Sequence, residues 1–317
     1  MLVLGRKYKF TEMELERLHK KFSEVNIVKY SGRSSRDVRL EIEDLLKSHN
    51  YKFLVINTKE FVDPKMIKFL TLLQFRFSHK RIKILSIEKF LEKFFHKCYI
   101  PEDDRDLEFL SDIRPYNSFE YTVKRIIDYI GGSILYILFI VIKFYVKKKI
   151  NEESPGSIYF LQKRVGLNNR EFVCVKFRSM KLDAEKYGAK FADENDKRIF
   201  SFGKFMRRTR IDEIPQCINV IKGEMHLIGP RPERRYWINF FEKEIPYYNE
   251  RHLVCPGITG WAQVNYPYGA STEDAKQKLM YDLYYIKYWS LWLEVKTILM
   301  TVFIVIRKKQ CFNNISQ

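Results

Sequence analysis

The sequence is poor in the residues from which disulfide-rich domains and zinc sites are built. Its five cysteines lie at positions 98, 174, 217, 255 and 311, and no two of them form a CxxC pair. Scattered cysteines in an odd number argue against a disulfide framework and a zinc centre, and they fit a reducing cytoplasmic compartment. The N-terminal segment MLVLGRKYKF is too short and too polar for a signal peptide.

Glycine is scarce at the start of the chain. Only Gly5 and Gly32 precede residue 100, and no GxGxxG pattern occurs there. This argues against dinucleotide binding. Short apolar runs do alternate with helical patterns, which predicts a small α/β doubly wound module. We expect this module and its linker to form an accessory domain over residues 1–118, with a docking or regulatory role.

Negative charge is also in short supply. Against 57 lysines and arginines the chain has 39 aspartates and glutamates, which gives a net charge of +18. A balance this basic indicates a polyanionic partner, such as nucleic acid, an anionic membrane surface or phosphorylated substrates. Aromatic residues make up 15% of the chain, a share that suits a protein at a membrane interface.

No apolar run is both long and free of charge. The most apolar segment, Ile126 to Val146, has about the length that crosses a bilayer, but Asp128 and Lys143 lie inside it. Basic residues flank both of its ends, and such flanks prefer the cytoplasm. We therefore predict a membrane-inserted helix, which either spans the membrane or enters and returns on one side. A buried core helix is the soluble alternative.

Residues suited to catalysis and ligand binding are most concentrated between Met206 and Pro232, in the stretch MRRTRIDEIPQCINVIKGEMHLIGPRP. Isoleucines at helical spacing, with Gly223 just after the last of them, predict a helix of about two to three turns. It would begin near Asp212 or Glu213, at the positive end of the helix dipole, which favours ionised carboxylates. Adjacent helical residues point about 100° apart, so this pair could share a metal ion or take separate roles, but not share a proton.

Cationic residues surround the acidic pair in the sequence. Arg207 and two further arginines come just before it, and guanidinium groups beside a helix N-terminus make a good phosphate site. After it, Pro230 and Pro232 clamp Arg231, which holds one guanidinium still. The alternative is an aspartate N-cap beside a solvated arginine face, which would have no use for such rigidity.

The segment DEIPQCINVIKGEMHLIGPRP resembles the signature of the bacterial polyprenyl-phosphate sugar-1-phosphate transferases of the monotopic type, which have a single membrane element. The resemblance runs from about Lys124 to Arg307 and includes KFRSM and RHLVCPGITGWAQV. It implies an α-rich α+β membrane catalytic domain over residues 119–317, with a membrane-inserted helix. Interfacial amphipathic helices would come from the aromatic-rich segment Leu279–Ile306.

The resemblance also implies an activity. A glycosyl-1-phosphate transferase of this family moves a sugar-1-phosphate from a nucleotide sugar, most often a UDP-sugar, to undecaprenyl phosphate and releases UMP. Asp212 would be the nucleophile of a covalent phosphoryl-aspartate intermediate, Glu213 would hold Mg²⁺ together with Asp212 or assist proton movement, and Arg207 would neutralise phosphate charge. The predicted substrate-binding residues are Lys176, Arg178, Pro230, Arg231 and Pro232.

The implied location is the cytoplasmic face of the bacterial inner membrane, where the reaction would be the first membrane step of polysaccharide or glycoconjugate biosynthesis. The implied partners are the nucleotide-sugar donor, undecaprenyl phosphate and anionic membrane lipids, without nucleic acid. A basic nucleic-acid-binding protein and an inactive membrane scaffold stay as alternatives. The apolar segment and the aromatic C-terminus speak against the first, and the intact Asp212, Glu213, Arg207 and Arg231 speak against the second. The identity of the sugar and the formation of a homo-oligomer stay open.

Overall fold

The computed structural model describes residues 1–58, 62–76, 82–102, 107–184, 196–267, 269 and 271–313. The chain divides into two compact units, Met1–Tyr99 and Ile100–Gln317. Strands and helices are both present and helices dominate, so the predicted mixed, helix-rich class is confirmed. The predicted accessory domain and linker extended to residue 118, whereas residues 100–118 belong to the second unit.

A four-stranded parallel sheet forms the centre of the first unit, with the strand order β2-β1-β3-β4. Its strands are β1 (Leu2–Leu4), β2 (Asn26–Val28), β3 (Phe53–Ile56) and β4 (Lys83–Ser86). Parallel strands need crossover connections, and helices supply them here. These helices are α1 (Glu12–Lys21), α2 (Ser35–Ser48) and α3 (Pro64–Arg76), and α4 (Ile87–Phe95) follows the last strand. The strand residues Leu2 and Leu54 pack with apolar side chains of α2 and α3.

The side chain of Asn57 fills the space beyond the carboxyl ends of β1 and β3. Its Oδ1 accepts a hydrogen bond from the Tyr8 amide (2.7 Å) and its Nδ2 donates to the Tyr8 carbonyl (2.8 Å). Gly5 is required beside it, because its φ is 95° and a Cβ there would lie 2.4 Å from the Asn57 carbonyl oxygen. Open α/β sheets usually bind ligands at this edge; here the chain's own polar groups occupy it.

The second unit combines helices with two small sheets. Strands β5 (Tyr159–Val165) and β6 (Glu171–Phe177) form an antiparallel hairpin. Strands β7 (His226–Ile228) and β8 (Gly257–Thr259) form a parallel pair. The helices are α5 (Leu107–Asp112), α6 (Ser118–Glu153), α7 (Ser201–Thr209), α8 (Cys217–Lys222), α9 (Arg235–Glu244), α10 (Trp261–Asn265), α11 (Thr272–Lys287) and α12 (Leu291–Asn313). Short 3-10 helices cover Leu167–Asn169, Ile211–Gln216 and Tyr248–Leu253.

Helix α6 contains the predicted apolar segment and is, within the described ranges, the one helix long and apolar enough to cross a membrane. Its 36 residues span about 54 Å. One face packs on the unit along the whole helix: near its start Asp128 accepts a hydrogen bond from the Leu227 amide (2.8 Å), and near its end Glu153 accepts one from the Phe202 amide (3.0 Å). The opposite face is apolar and uncovered, with Val141 70% exposed.

The aromatic segment Leu279–Ile306 forms parts of two helices, α11 and α12. The predicted interfacial position does not hold for Tyr281 and Tyr285 on α11, which are both 1% exposed. Besides apolar packing, a hydrogen bond holds Tyr285 inside the unit, because its hydroxyl donates to the Ile228 carbonyl (3.0 Å). On α12 the expected exposure is found, since Trp292 is 71% exposed.

Candidate active site

The acidic pair lies on the 3-10 helix Ile211–Gln216, which packs against β6 and continues into α8. The helix predicted over this stretch is therefore present, with a tighter first part. Gly223 ends α8 at a φ of 85°, the left-handed C-cap that was predicted. The N-cap is Arg210, itself left-handed (φ 58°) and without a side-chain cap. An aspartate N-cap, the alternative explanation of the pair, is thus wrong.

Glu213 is buried and joined to three cations. Its Oε1 accepts hydrogen bonds from Lys176 Nζ and from an Arg231 guanidinium nitrogen, each at 2.9 Å. Its Oε2 accepts one from Arg210 at 3.1 Å. Burial alone would raise the pKa of Glu213, but the charges of Arg231, Lys176 and Arg210 outweigh it and hold the pKa well below its ordinary value. Glu213 is therefore a permanent carboxylate.

Asp212 is partly buried, and its side chain makes no hydrogen bond or ion pair with any residue that the structure describes. Burial raises its pKa, the neighbouring charge of Glu213 raises it further, and Lys176, Arg207 and Arg231 oppose the rise; the resulting pKa is about 6. The expectation that the helix end favours ionisation of both carboxylates is wrong for Asp212. Its neighbour takes up the cations, and desolvation dominates.

Opposed pKa shifts assign the two carboxylates different chemistry. Two titratable groups whose environments move their pKa values apart usually have separate functions. Within the described residues Asp212 pairs with no cation, and with a pKa of about 6 it is mostly ionised at neutral pH yet more basic than an ordinary aspartate. Glu213 holds the cations in position around it. The two carboxylates therefore have different partners, which is compatible with both options that the sequence left open, a shared metal ion and separate roles.

Arg207 ends up beside the acidic pair, as predicted. It lies in the last turn of α7 and is partly buried. Its charge acts on Asp212, and in the described part of the chain its side chain forms no hydrogen bond or ion pair. A guanidinium without a protein partner is available for an anionic ligand.

The turn Pro230-Arg231-Pro232 is held by its carbonyl groups. The Pro230 carbonyl accepts from the Gly257 amide (2.9 Å), and the Pro232 carbonyl accepts from Arg164 (3.0 Å). The Arg231 carbonyl accepts from Arg251 (2.9 Å). The predicted rigidity is therefore present, and hydrogen bonds add to the effect of the prolines.

Two of the groups that hold this turn, Arg164 and Arg251, were missed as site residues. Arg251 lies in RHLVCPGITGWAQV, one of the segments that carry the family resemblance, and Arg164 lies in β5. Their positions in the sequence do not show which backbone carbonyl each arginine will reach, because each lies at least 20 residues from the residue whose carbonyl it meets.

Arg178 is not brought to the acidic pair. Its guanidinium is 4% exposed and donates to the Ser157 carbonyl (2.5 Å), to the Ser154 hydroxyl (2.6 Å) and to the Ser154 carbonyl. These are the acceptors of the turn that leads from α6 into β5. Of the predicted basic pair, only Lys176 reaches the site; Arg178 faces away from it and closes a turn.

The carboxylates are the candidate metal ligands. Within the residues that the structure describes, no three His, Cys, Asp or Glu side chains converge as a metal site. Mg²⁺ nevertheless needs only one or two carboxylates when substrate phosphates and water complete its shell. Among the described residues Asp212 has no partner and Oε2 of Glu213 accepts from Arg210 alone, which leaves this oxygen one further lone pair. This donor set fits Mg²⁺ bound together with a diphosphate substrate.

The part of the chain that contains this site is similar in sequence to known proteins. A family model described as bacterial sugar transferase matches residues 119–308. The UDP-N-acetylgalactosamine-undecaprenyl-phosphate N-acetylgalactosaminephosphotransferase of Aeromonas hydrophila is 47% identical over 180 residues, 57% of this chain and 43% of the relative. The UDP-glucose:undecaprenyl-phosphate glucose-1-phosphate transferases of Xanthomonas campestris pv. campestris and Escherichia coli (strain K12) are 44% and 35% identical, over 51% and 60% of this chain.

The chain spans less than half of the length of these three relatives, with 34% to 43% of each relative covered. The matched part includes the acidic pair, Arg207, Lys176 and the turn around Arg231. Because the family model covers more than half of the sequence, and because the residues of the site all lie within it, the chain belongs to the bacterial sugar transferase family.

Proposed function

We propose that this protein is a glycosyl-1-phosphate transferase that moves a sugar-1-phosphate from a UDP-sugar to undecaprenyl phosphate and releases UMP. The names of the three relatives describe reactions of this type. The observation that carries the proposal for this chain is the pairing pattern of its carboxylates. Glu213 is paired with three cations, whereas Asp212 is unpaired within the described part of the chain and has a pKa of about 6.

In the first step, an oxygen of ionised Asp212 attacks the β-phosphorus of the UDP-sugar. A bond forms between that oxygen and phosphorus, the bond from the β-phosphorus to the bridging oxygen breaks, and UMP leaves with the bridging oxygen and its electron pair. The product is a sugar-phosphoryl aspartate. A carboxylate whose pKa is near 6 is mostly ionised at neutral pH, so no separate base is needed.

In the second step, a phosphate oxygen of undecaprenyl phosphate attacks the same phosphorus. The aspartyl oxygen leaves, which regenerates the Asp212 carboxylate and yields the undecaprenyl-diphospho-sugar. In both steps anions approach one another, and this repulsion must be offset. Lys176, Arg207 and Arg231 supply positive charge at the site, and Glu213 keeps two of these cations in place.

We further propose that Mg²⁺ binds with the donor, held by Asp212 and the free lone pair on Glu213. Bound Mg²⁺ would supply additional positive charge to the diphosphate. The protein's own part is to keep two hard oxygen ligands beside the cations that face the substrate. Chelation of Mg²⁺ should stop UMP release, and its return should restore it.

The proposed place of the reaction is the cytoplasmic face of the inner membrane. Helix α6 has an uncovered apolar face, and Trp292 on α12 is exposed. Because one face of α6 contacts its own unit near both ends, a helix held on one side of the bilayer is favoured over one that spans it. Lys147 and Lys148 after the apolar segment are exposed and would bind anionic headgroups.

The test is a UMP-release assay on the full chain in detergent, with undecaprenyl phosphate and a panel of UDP-sugars. Asp212→Asn should abolish release. Asp112→Asn, which alters an exposed carboxylate paired with Lys287, is the matched control and should leave release intact. A donor labelled with ³²P at the β-phosphate should label the wild-type protein and not Asp212→Asn. Full release by Asp212→Asn would refute the nucleophile.

A further inference from the structure

Arg251 lies buried beneath the turn that carries Arg231. It is 6% exposed, and its guanidinium makes three hydrogen bonds in different directions. One nitrogen donates to the Tyr248 hydroxyl at 2.8 Å. The other donates both to the Arg231 carbonyl at 2.9 Å and to Asp282 Oδ2 at 3.0 Å. Asp282 is on α11 and is 2% exposed.

A buried ion pair of this kind often has a purely structural role. Arg251 and Asp282 do connect the 3-10 helix Tyr248–Leu253 to α11, and such a pair needs no third partner. Here, however, the nitrogen that meets Asp282 also meets the Arg231 carbonyl. The Arg251–Asp282 ion pair therefore also binds the backbone of Arg231, whose side chain contacts Glu213.

Arg231 is consequently held at both ends. Its guanidinium donates to Glu213 at 2.9 Å, and its carbonyl accepts from Arg251 at the same distance. Pro230 fixes its own φ and Pro232 confines Arg231 to extended backbone, but neither alone fixes the orientation of the peptide plane that follows Arg231. The hydrogen bond from Arg251 sets that orientation.

We propose that Arg251, with Asp282 as its buried counterion, is a positioning residue that sets the location of the Arg231 guanidinium over the acidic pair. The inference rests on the proposed function, since it takes Arg231 as a group that meets the donor phosphates. Arg251 touches no reacting atom; it acts through Arg231. Asp282 orients the Arg251 guanidinium and compensates its charge, so that the guanidinium can donate to the Arg231 carbonyl.

Lysine cannot replace Arg251 in this role. A guanidinium presents donors in a planar fork, whereas a lysine ammonium is one point on a flexible stem. Arg251→Lys keeps a positive charge beside Asp282, which limits the loss of stability, but it loses the fixed geometry toward Arg231. This variant therefore separates the positioning role from the ion pair.

The experiment is a double-mutant cycle on UMP release by the full chain. Displacing a positioned group by about 1 Å can cost about 100-fold in rate, so Arg251→Lys should lower kcat/KM for the UDP-sugar about 100-fold. In the Arg231→Ala background the same change should cost less than about 3-fold, because coupled residues are not additive. A full second loss in that background overturns the proposal.

Arg235→Lys is the matched control. Arg235 binds Asn169 and Glu171 away from the turn, so its replacement should change kcat/KM less than about 2-fold. If Arg251→Lys does not fold, Asp282→Asn takes its place. That variant keeps an acceptor for Arg251. It should lower kcat/KM in the wild-type background and lower it less than about 3-fold in the Arg231→Ala background, and additive losses would again overturn the proposal.

A second readout distinguishes this inference from the proposed function. If the wild-type chain releases no UMP from any donor, the proposed function fails, but positioning is still measurable by hydrogen exchange. The Gly257 and Val165 amides donate to the carbonyls of Pro230 and Glu233, on either side of Arg231. Their exchange should be faster in Arg251→Lys than in Arg235→Lys, and equal rates would refute the positioning role.

Discussion

A guanidinium nitrogen of Arg231 lies 2.9 Å from Oε1 of Glu213, and Lys176 meets the same oxygen at the same distance. One carboxylate oxygen thus gathers two cations that come from a strand and a turn far apart in the chain. The consequence falls on the neighbouring residue. Because Glu213 takes up these cations, Asp212 has no partner among the residues that the structure describes, and its pKa is raised to about 6.

The first prediction concerns the pH dependence of this pair. In the proposed mechanism UMP release requires ionised Asp212, so kcat/KM should rise with pH through about 6 and then level off. The charge of Glu213 raises the pKa of Asp212, and Glu213→Gln removes that charge. The rising limb should therefore move to lower pH in Glu213→Gln, although the rate at the plateau should fall because Lys176 and Arg231 lose their anchor. An unmoved limb, measured in a pH–rate profile, would contradict the assignment of Asp212.

Arg207 should matter for turnover and not for folding. Its side chain has no hydrogen-bond partner among the described residues, so Arg207→Ala should leave the thermal unfolding midpoint nearly unchanged. Removal of one preorganised charge at a reacting centre costs about 10²- to 10³-fold in kcat, and we expect a loss in that range. Lys204→Ala, an exposed change on the same helix, is the control for net charge. Equal losses in both variants would mean that Arg207 acts only through long-range charge.

Arg178 should behave in the opposite way. Its replacement by alanine leaves the buried acceptors of the turn after α6 without their donor, which costs about 1–3 kcal/mol of unfolding free energy for each unsatisfied group. The KM for the UDP-sugar should change little, because the guanidinium does not face the acidic pair. Denaturant unfolding and steady-state kinetics on the same preparation measure both. A large rise in KM with unchanged stability would restore Arg178 as a phosphate ligand.

Helix α6 should be sensitive to side-chain size on one face only. A Cβ on buried Gly132 would lie 3.3 Å from Val220 Cγ1 on α8, so Gly132→Leu should push the helices apart. Overpacking of this kind typically costs about 1–3 kcal/mol. Ser133→Leu, one position along and exposed, is the matched control and should be tolerated. Thermal unfolding of both variants in the same detergent gives the comparison; equal midpoints would place α6 away from α8.

Much of the fold could be predicted from the sequence, because the relevant signals are local. Alternating apolar runs and helical patterns predicted the strands and helices of the first unit, and the apolar segment predicted α6. Gly223 was predicted as a left-handed C-cap and is one, since a glycine after an apolar helical stripe has few other uses. The aromatic pattern of α11 gave a wrong prediction of exposed tyrosines. In the sequence, a tyrosine that donates to a buried carbonyl cannot be told from one at a membrane surface.

The sequence by itself determined which candidate site residues are available: the Asp212-Glu213 pair, Arg207, Lys176 and the clamped Arg231. Only the tertiary structure decided how these residues pair. Pairing depends on groups distant in sequence, such as Lys176, which reaches Glu213 across 37 positions. The tertiary structure also decided that Arg178 binds a turn and that Arg251 binds the Arg231 carbonyl. Charge–charge distance and desolvation control both pairing and pKa, and neither quantity exists until the chain is folded.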